Sequence, residues 1–145
     1  MIKVNIVCIG KIKEDYLRAA CAEYLKRLSR FAKVEIKELS EGKSLKEEGV
    51  AVMRAATGYK IALCVEGEKT SSEALAKNLK SLCDAGKEIT FIIGSSCGLD
   101  GEVKKYADCR MSFSDLTFPH QLMRVILLEQ IYRAFMINSG GEYHK

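Results

Sequence analysis

The stretch Met111–Lys145, MSFSDLTFPHQLMRVILLEQIYRAFMINSGGEYHK, decides how the rest of the chain is read. It divides into a short strand, a tight polar loop, one long helix and a polar tail. Pro119 lacks a backbone N–H and has a fixed φ, which suits the first turn of a helix. Thr117 stands just before it, where a hydroxyl can accept from the orphan N–H groups of that turn. From about Pro119 to Ile137 the helix is apolar on nearly every face, with Leu122, Met123, Val125, Ile126, Leu127, Leu128, Ile131, Ala134, Phe135 and Met136. A surface helix keeps one polar side, so a helix apolar all round must be covered on two. In a chain this small, that predicts a second subunit. The polar exceptions are His120, Arg124, Glu129, Gln130 and Arg133, and each needs a partner or a task among its apolar neighbours.

Outward from this stretch, the bulk properties bound the answer. The chain has 145 residues, of which 48% are hydrophobic and 29% charged. That describes a single domain, 1–145, with a real core. No apolar run is long enough to cross a bilayer, and MIKVNIVCIG offers too short an apolar segment for a signal peptide. Cys8, Cys21, Cys64, Cys83, Cys97 and Cys109 show no metal-ligand spacing and are read as reduced thiols of a cytoplasmic protein. Net charge is +4, concentrated in residues 1–60, which carry 13 Lys/Arg against 8 Asp/Glu. A basic front half fits an anionic partner such as nucleic acid, although charge alone favours a solvated face.

In chain order, Lys3–Ile9 reads as a strand and Lys13–Arg30 as a helix with apolar residues at helical spacing. Lys26, Arg27 and Arg30 near its end suit the helix dipole, a reading that competes with RNA contact. Ala32–Leu39 alternates as a half-exposed strand, and Leu45–Ala56 is a helix. Lys60–Val65 is a strand apolar enough to be central. Glu66–Thr70 is expected to be a loop. A helix capped by Ser71 or Ser72 follows, then a buried strand at Ile89–Ile93, a loop at Gly94–Gly98, a short helix at Gly101–Tyr106 and a strand at Arg110–Phe113. Alternating strands and helices predict an α/β domain with a largely parallel sheet.

Such sheets bind ligands at the carboxyl ends of their strands, which singles out the loops after Val65, Ile93 and Phe113. GSSCG at Gly94–Gly98 is neither a GxGxxG fingerprint nor a P-loop. His120 has no companion at metal spacing and reads as a histidine satisfied in a subunit contact. Tyr143-His144-Lys145 places an aromatic ring, a titrating group and a cation in succession.

These residues together carry a resemblance. FIIGSSCGL, SFSDLTFPHQLMRVILLEQIYRAFMI and YHK look like the small SPOUT methyltransferases of the RlmH type, the large-subunit rRNA pseudouridine N3-methyltransferases. The resemblance covers the whole chain, with Ser95 standing where the family commonly has a second glycine. It implies a SPOUT-type α/β knot, a parallel-rich sheet with a C-terminal trefoil knot, in a homodimer. It implies S-adenosyl-L-methionine as cofactor, contacted at Leu63, Gly94, Phe113, Ser114, Asp115, Leu116, Thr117 and Phe118. The implied reaction is methylation of N3 of a pseudouridine in helix 69 of 23S rRNA on assembled 70S ribosomes, without metal or membrane. It further implies a composite site in which Tyr143, His144 and Lys145 of one subunit reach the other's cofactor pocket, supported by Arg133 and Glu129. A tRNA-directed SPOUT enzyme and a non-enzymatic nucleotide-binding dimer are the alternatives.

Overall fold

The computed structural model describes residues Met1–Lys145. Ten elements alternate without exception: β1 (Ile2–Ile9), α1 (Asp15–Leu28), β2 (Ala32–Leu39), α2 (Leu45–Ala55), β3 (Tyr59–Lys69), α3 (Ser72–Asp84), β4 (Ile89–Ile93), α4 (Gly101–Tyr106), β5 (Cys109–Ser112) and α5 (His120–Asn138). The five strands form one sheet in the order β2-β1-β4-β3-β5, every pairing parallel. This is the architecture expected from the alternation.

Strand side chains point alternately to the two faces, and the core divides accordingly. Val4, Ile6 and Cys8 of β1 join Ile89, Phe91 and Ile93 of β4 in the larger core, closed by α1, α3 and α5. Val7 and Ile9 join Ala62 and Ile92 in the smaller core, closed by α2 and α4. Helix α3 starts at the expected Ser71, which accepts from Ala74 N, and α2 starts at Ser44, which accepts from Glu47 N, both at 3.1 Å. Each side chain satisfies one orphan donor of a first turn.

Two expectations are corrected. Pro119, not Thr117, is the N-cap of α5, and no side chain caps that helix. Its first turn opens into the cleft described below, so no hydroxyl folds back over it. The segment expected as a loop at Glu66–Thr70 is strand as far as Lys69. Leu63 and Glu68 both register with Met111 of β5, so Cys64–Gly67 bulge out of the ladder before pairing resumes at Lys69↔Ser112. Gly67 makes the return possible: a Cβ there would lie 2.7 Å from Met111 N. The bulge re-aims the intervening side chains, which is what such irregularities do beside sites.

Helix α5 buries Arg124, Leu127, Leu128, Ile131, Ala134 and Phe135 against the sheet and α1 and α3. Its other apolar side chains remain half-buried or exposed in the single chain, Leu122 among the latter. Arg124 is fully buried. It donates to Ile9 O at 3.0 Å and Gly10 O at 2.6 Å, and pairs with Glu38 at 2.7 Å. The guanidinium thus ties the first turns of α5 to the carboxyl ends of β1 and β2.

Candidate active site

A cleft of about 630 Å³ opens at the carboxyl ends of β3, β4 and β5, a volume in the range of small-molecule sites. One wall is the β3 bulge, with Leu63, Cys64, Val65 and Glu66. The second is the Gly94–Gly98 loop, and the third is the segment from Ser112 to His120 that leads into α5. The lining is mostly apolar: Leu63, Ile93, Leu99, Met111, Phe113, Leu116, Phe118 and Met123. Polar groups converge from Ser95, Ser112, Ser114, Thr117, His120, Glu66 and Lys104. Flat apolar walls with a few main-chain and hydroxyl partners suit an adenine-containing molecule.

Local bonds hold these walls in shape. Ser112 Oγ donates to Ser114 O at 3.1 Å, and Leu116 N donates to Ser114 Oγ at 3.0 Å. The Gly94 loop closes through Gly98 N to Ser95 O at 2.8 Å, with Gly98 at φ +87°. A Cβ on Gly94 would run into the Gly98 carbonyl, so the glycine lets the loop close on itself. Ser95 does not adopt a positive φ and is accommodated without strain. Seven of the eight expected cofactor contacts, Leu63, Gly94, Phe113, Ser114, Leu116, Thr117 and Phe118, lie on the cleft wall. Asp115 does not: it points outward to Lys69 Nζ at 2.7 Å.

The second expected set forms a separate cluster. Glu129 is its hub, accepting from Arg133 at 3.0 Å and from the Tyr143 hydroxyl at 2.9 Å. The Arg133 guanidinium also lies over the Tyr143 ring, 4.7 Å from its centroid. Arg133 has only donors, so it donates to His144 Nδ1 at 3.0 Å; Nε2 then carries the hydrogen and donates to Glu73 at 2.7 Å. Burial, together with the hydrogen bond to Glu129, pushes the Tyr143 phenol up to about 12. Tyr143 is therefore a neutral donor at physiological pH. The hydrogen bond from Arg133 makes Glu129 a paired carboxylate, and that carboxylate in turn raises Arg133. Lys145 is exposed.

None of Glu129, Arg133, Tyr143, His144 or Lys145 lines the cleft. Met123 on the cleft wall precedes Glu129 and Arg133 by six and ten helical residues, or about 9 and 15 Å along the α5 axis. The tail is folded back onto its own α5 and α3. Within one chain the cleft and the tail cluster are two sites joined by one helix. Sequence reasoning placed Glu66 in a strand-end loop but missed Leu99, Lys104 and Met123 on the cleft wall. Lys104, on α4, pairs with Glu66 across the rim, a contact between residues 38 positions apart with no local signal.

A doubly covered parallel sheet with a strand-end cleft defines an α/β protein built to bind a small molecule there. The chain belongs to the SPOUT methyltransferase family, whose model, described as "Predicted SPOUT methyltransferase", matches residues 2–144. Among its curated relatives is the "Ribosomal RNA large subunit methyltransferase H" of Streptococcus thermophilus, 49% identical and covering 99% of each chain. A protein of the same name from Bacillus cytotoxicus is 47% identical, covering 98% of this chain and 99% of the relative. Two solved structures share the fold. One is a probable methylase family protein of Haemophilus influenzae (TM-score 0.61, 10% identity, 98% of this chain and 70% of that one). The other is TrmJ of Z. mobilis (TM-score 0.54, 9% identity, 92% and 70%).

Proposed function

We propose that the protein is an S-adenosylmethionine-dependent methyltransferase of large-subunit ribosomal RNA, acting as a homodimer on N3 of a pseudouridine in helix 69 of the assembled ribosome. The observation that carries the reading is the separation of the cleft from the tail cluster on α5. Each is half of a methyltransferase site, and a second copy packed on the uncovered apolar side of α5 would bring one subunit's tail to the other's cleft. The relatives' names supply the RNA class, and the resemblance of the PHQLMRVILLEQIYRA and YHK segments supplies the nucleotide and the trefoil knot.

The cleft fits the cofactor by its chemistry: Leu63, Leu116 and Phe118, all on its wall, would enclose an adenine, and main-chain groups of the Gly94 and Ser114 loops would read its edge. Bound there, S-adenosylmethionine supplies an electrophilic methyl group. The chain's own residues must then align the acceptor and remove its proton. The imide N3 is a poor nucleophile until that proton leaves. His144 takes it at Nδ1 once the single hydrogen bond from Arg133 to that atom opens, while the Tyr143 ring holds the base and Lys145 meets phosphate. Glu129 and Arg133 position the tail.

Transfer of labelled methyl from S-adenosylmethionine to 70S particles, free large subunits and naked rRNA, followed by mapping of the labelled nucleotide, tests this. Label in a helix 69 pseudouridine, chiefly on assembled particles, is the expected result. Label only in tRNA, or cofactor binding with no transfer to any RNA, would overturn it.

A further inference from the structure

We infer that the C-terminal end of α1, together with the face of α5 beneath the tail, forms the surface that docks the RNA substrate; this rests on the rRNA-methyltransferase reading above. Cations and rings alternate there in one continuous array. The Arg27 guanidinium lies 5.1 Å from the Tyr24 ring centroid and 5.7 Å from that of Tyr132. Tyr132 meets the Tyr143 ring edge-on at 5.0 Å, and Arg133 covers Tyr143. The array therefore runs from α1 directly into the tail. Arg30 extends it over Phe31 at 4.5 Å.

The charge is unbalanced in the direction RNA requires. Three carboxylates beside the array are already committed, Glu23 to Arg27, Glu129 to Arg133 and Glu73 to His144, which leaves Glu142 of the tail as the unpaired one. Lys26, Arg30 and Lys145 are exposed, and none is held in an ion pair. Helix-end placement accounts for Lys26 and Arg27 near the C-terminus of α1, but not for aromatic rings threaded between the cations. Guanidinium planes and rings offered side by side stack bases and meet phosphates, the two contacts that bind RNA without a dedicated domain. The array is contiguous with the residues that would act on the base, so docking and chemistry would share one surface.

The test is the double variant Lys26→Ala/Arg30→Ala in the full-length protein, with both side chains on the surface and outside the cleft. The expected result is a rise of tenfold or more in KM for ribosomes. The log–log salt dependence of ribosome binding should become shallower by roughly 1.5, the effect of losing two phosphate contacts. The dissociation constant for S-adenosylmethionine and the oligomeric state should be unchanged. Ribosome KM and salt slope equal to wild type would overturn this inference while leaving the methyltransferase reading intact. A shift to monomer would also overturn it, assigning the face to a subunit contact. Absence of ribosome methylation by the wild-type protein would overturn the reading on which the inference rests.

Discussion

Replacing Arg124 with methionine removes the guanidinium and keeps most of the stem. In the native chain that fully buried group satisfies two main-chain carbonyls and one carboxylate. A charge-assisted bond to Glu38 contributes about 1.5–3 kcal/mol, and two bonds to Ile9 O and Gly10 O about 1 kcal/mol each. Glu38 is one-third exposed, which places its share at the low end because water screens it. The methionine returns roughly 1–1.5 kcal/mol of apolar burial. The net loss is about 2–3 kcal/mol, near 8 °C in Tm for a chain of this size. Glu38→Gln, which keeps a neutral acceptor for Arg124, should cost only about 1 kcal/mol. Urea unfolding at fixed protein concentration, followed by far-UV circular dichroism, measures both. The two changes combined should cost clearly less than their sum, because they remove one shared interaction. A loss below 1 kcal/mol for Arg124→Met, or strict additivity of the pair, would refute the reasoning that this cation ties α5 to the strand ends.

Two further outcomes follow from burial. Burial pushes the Cys8 thiol up to about 12 and raises Cys21 as well, while Cys97 is the one exposed cysteine. A disulfide reagent at pH 8 should therefore label Cys97 first and reach Cys8 and Cys21 only in denaturant; rapid labelling of Cys8 in the native protein would contradict the packing of β1. The Tyr143 phenol has a folded value above its ordinary value of 10, so its contribution to tail docking is fully present below pH 10 and is lost as pH rises toward 12. Tyrosinate absorbance titration should show one phenol, missing in Tyr143→Phe, that ionises at about 12; ionisation of that phenol at the ordinary value of 10 would contradict the bond to Glu129.

Much of this molecule was legible in the sequence because its signals are local. Most strands and helices are marked by period, turn residues or caps, and the carboxyl-end rule points to the loops that line the cleft. What was not legible depends on contacts distant along the chain. The β3 bulge looked like a loop because Glu66 and Glu68 are charged and solvent-facing, and only the approach of Gly67 to Met111 reveals the pairing. Arg124 stood out as a polar residue among apolar ones, but its partner Glu38 lies 86 positions away. The strand order has no local signal at all. The resemblance groups the tail residues with Glu129 and Arg133, but nothing local marks their docking on those residues of their own chain, or on Glu73.

The most direct measurement mixes two inactive variants. One lacks Tyr143–Lys145 but keeps an intact cleft; the other carries Gly94→Trp, which forces open the loop wall and disables the cleft, but keeps the tail. Each homodimer should be inactive on ribosomes. Reassociated at equal concentration, half the dimers are mixed and each holds one complete site, so about one quarter of wild-type methyl transfer should return. No recovery, with mixed dimers verified by mass, would contradict a site shared between subunits; full activity of the tail-less variant alone would contradict the role of the tail.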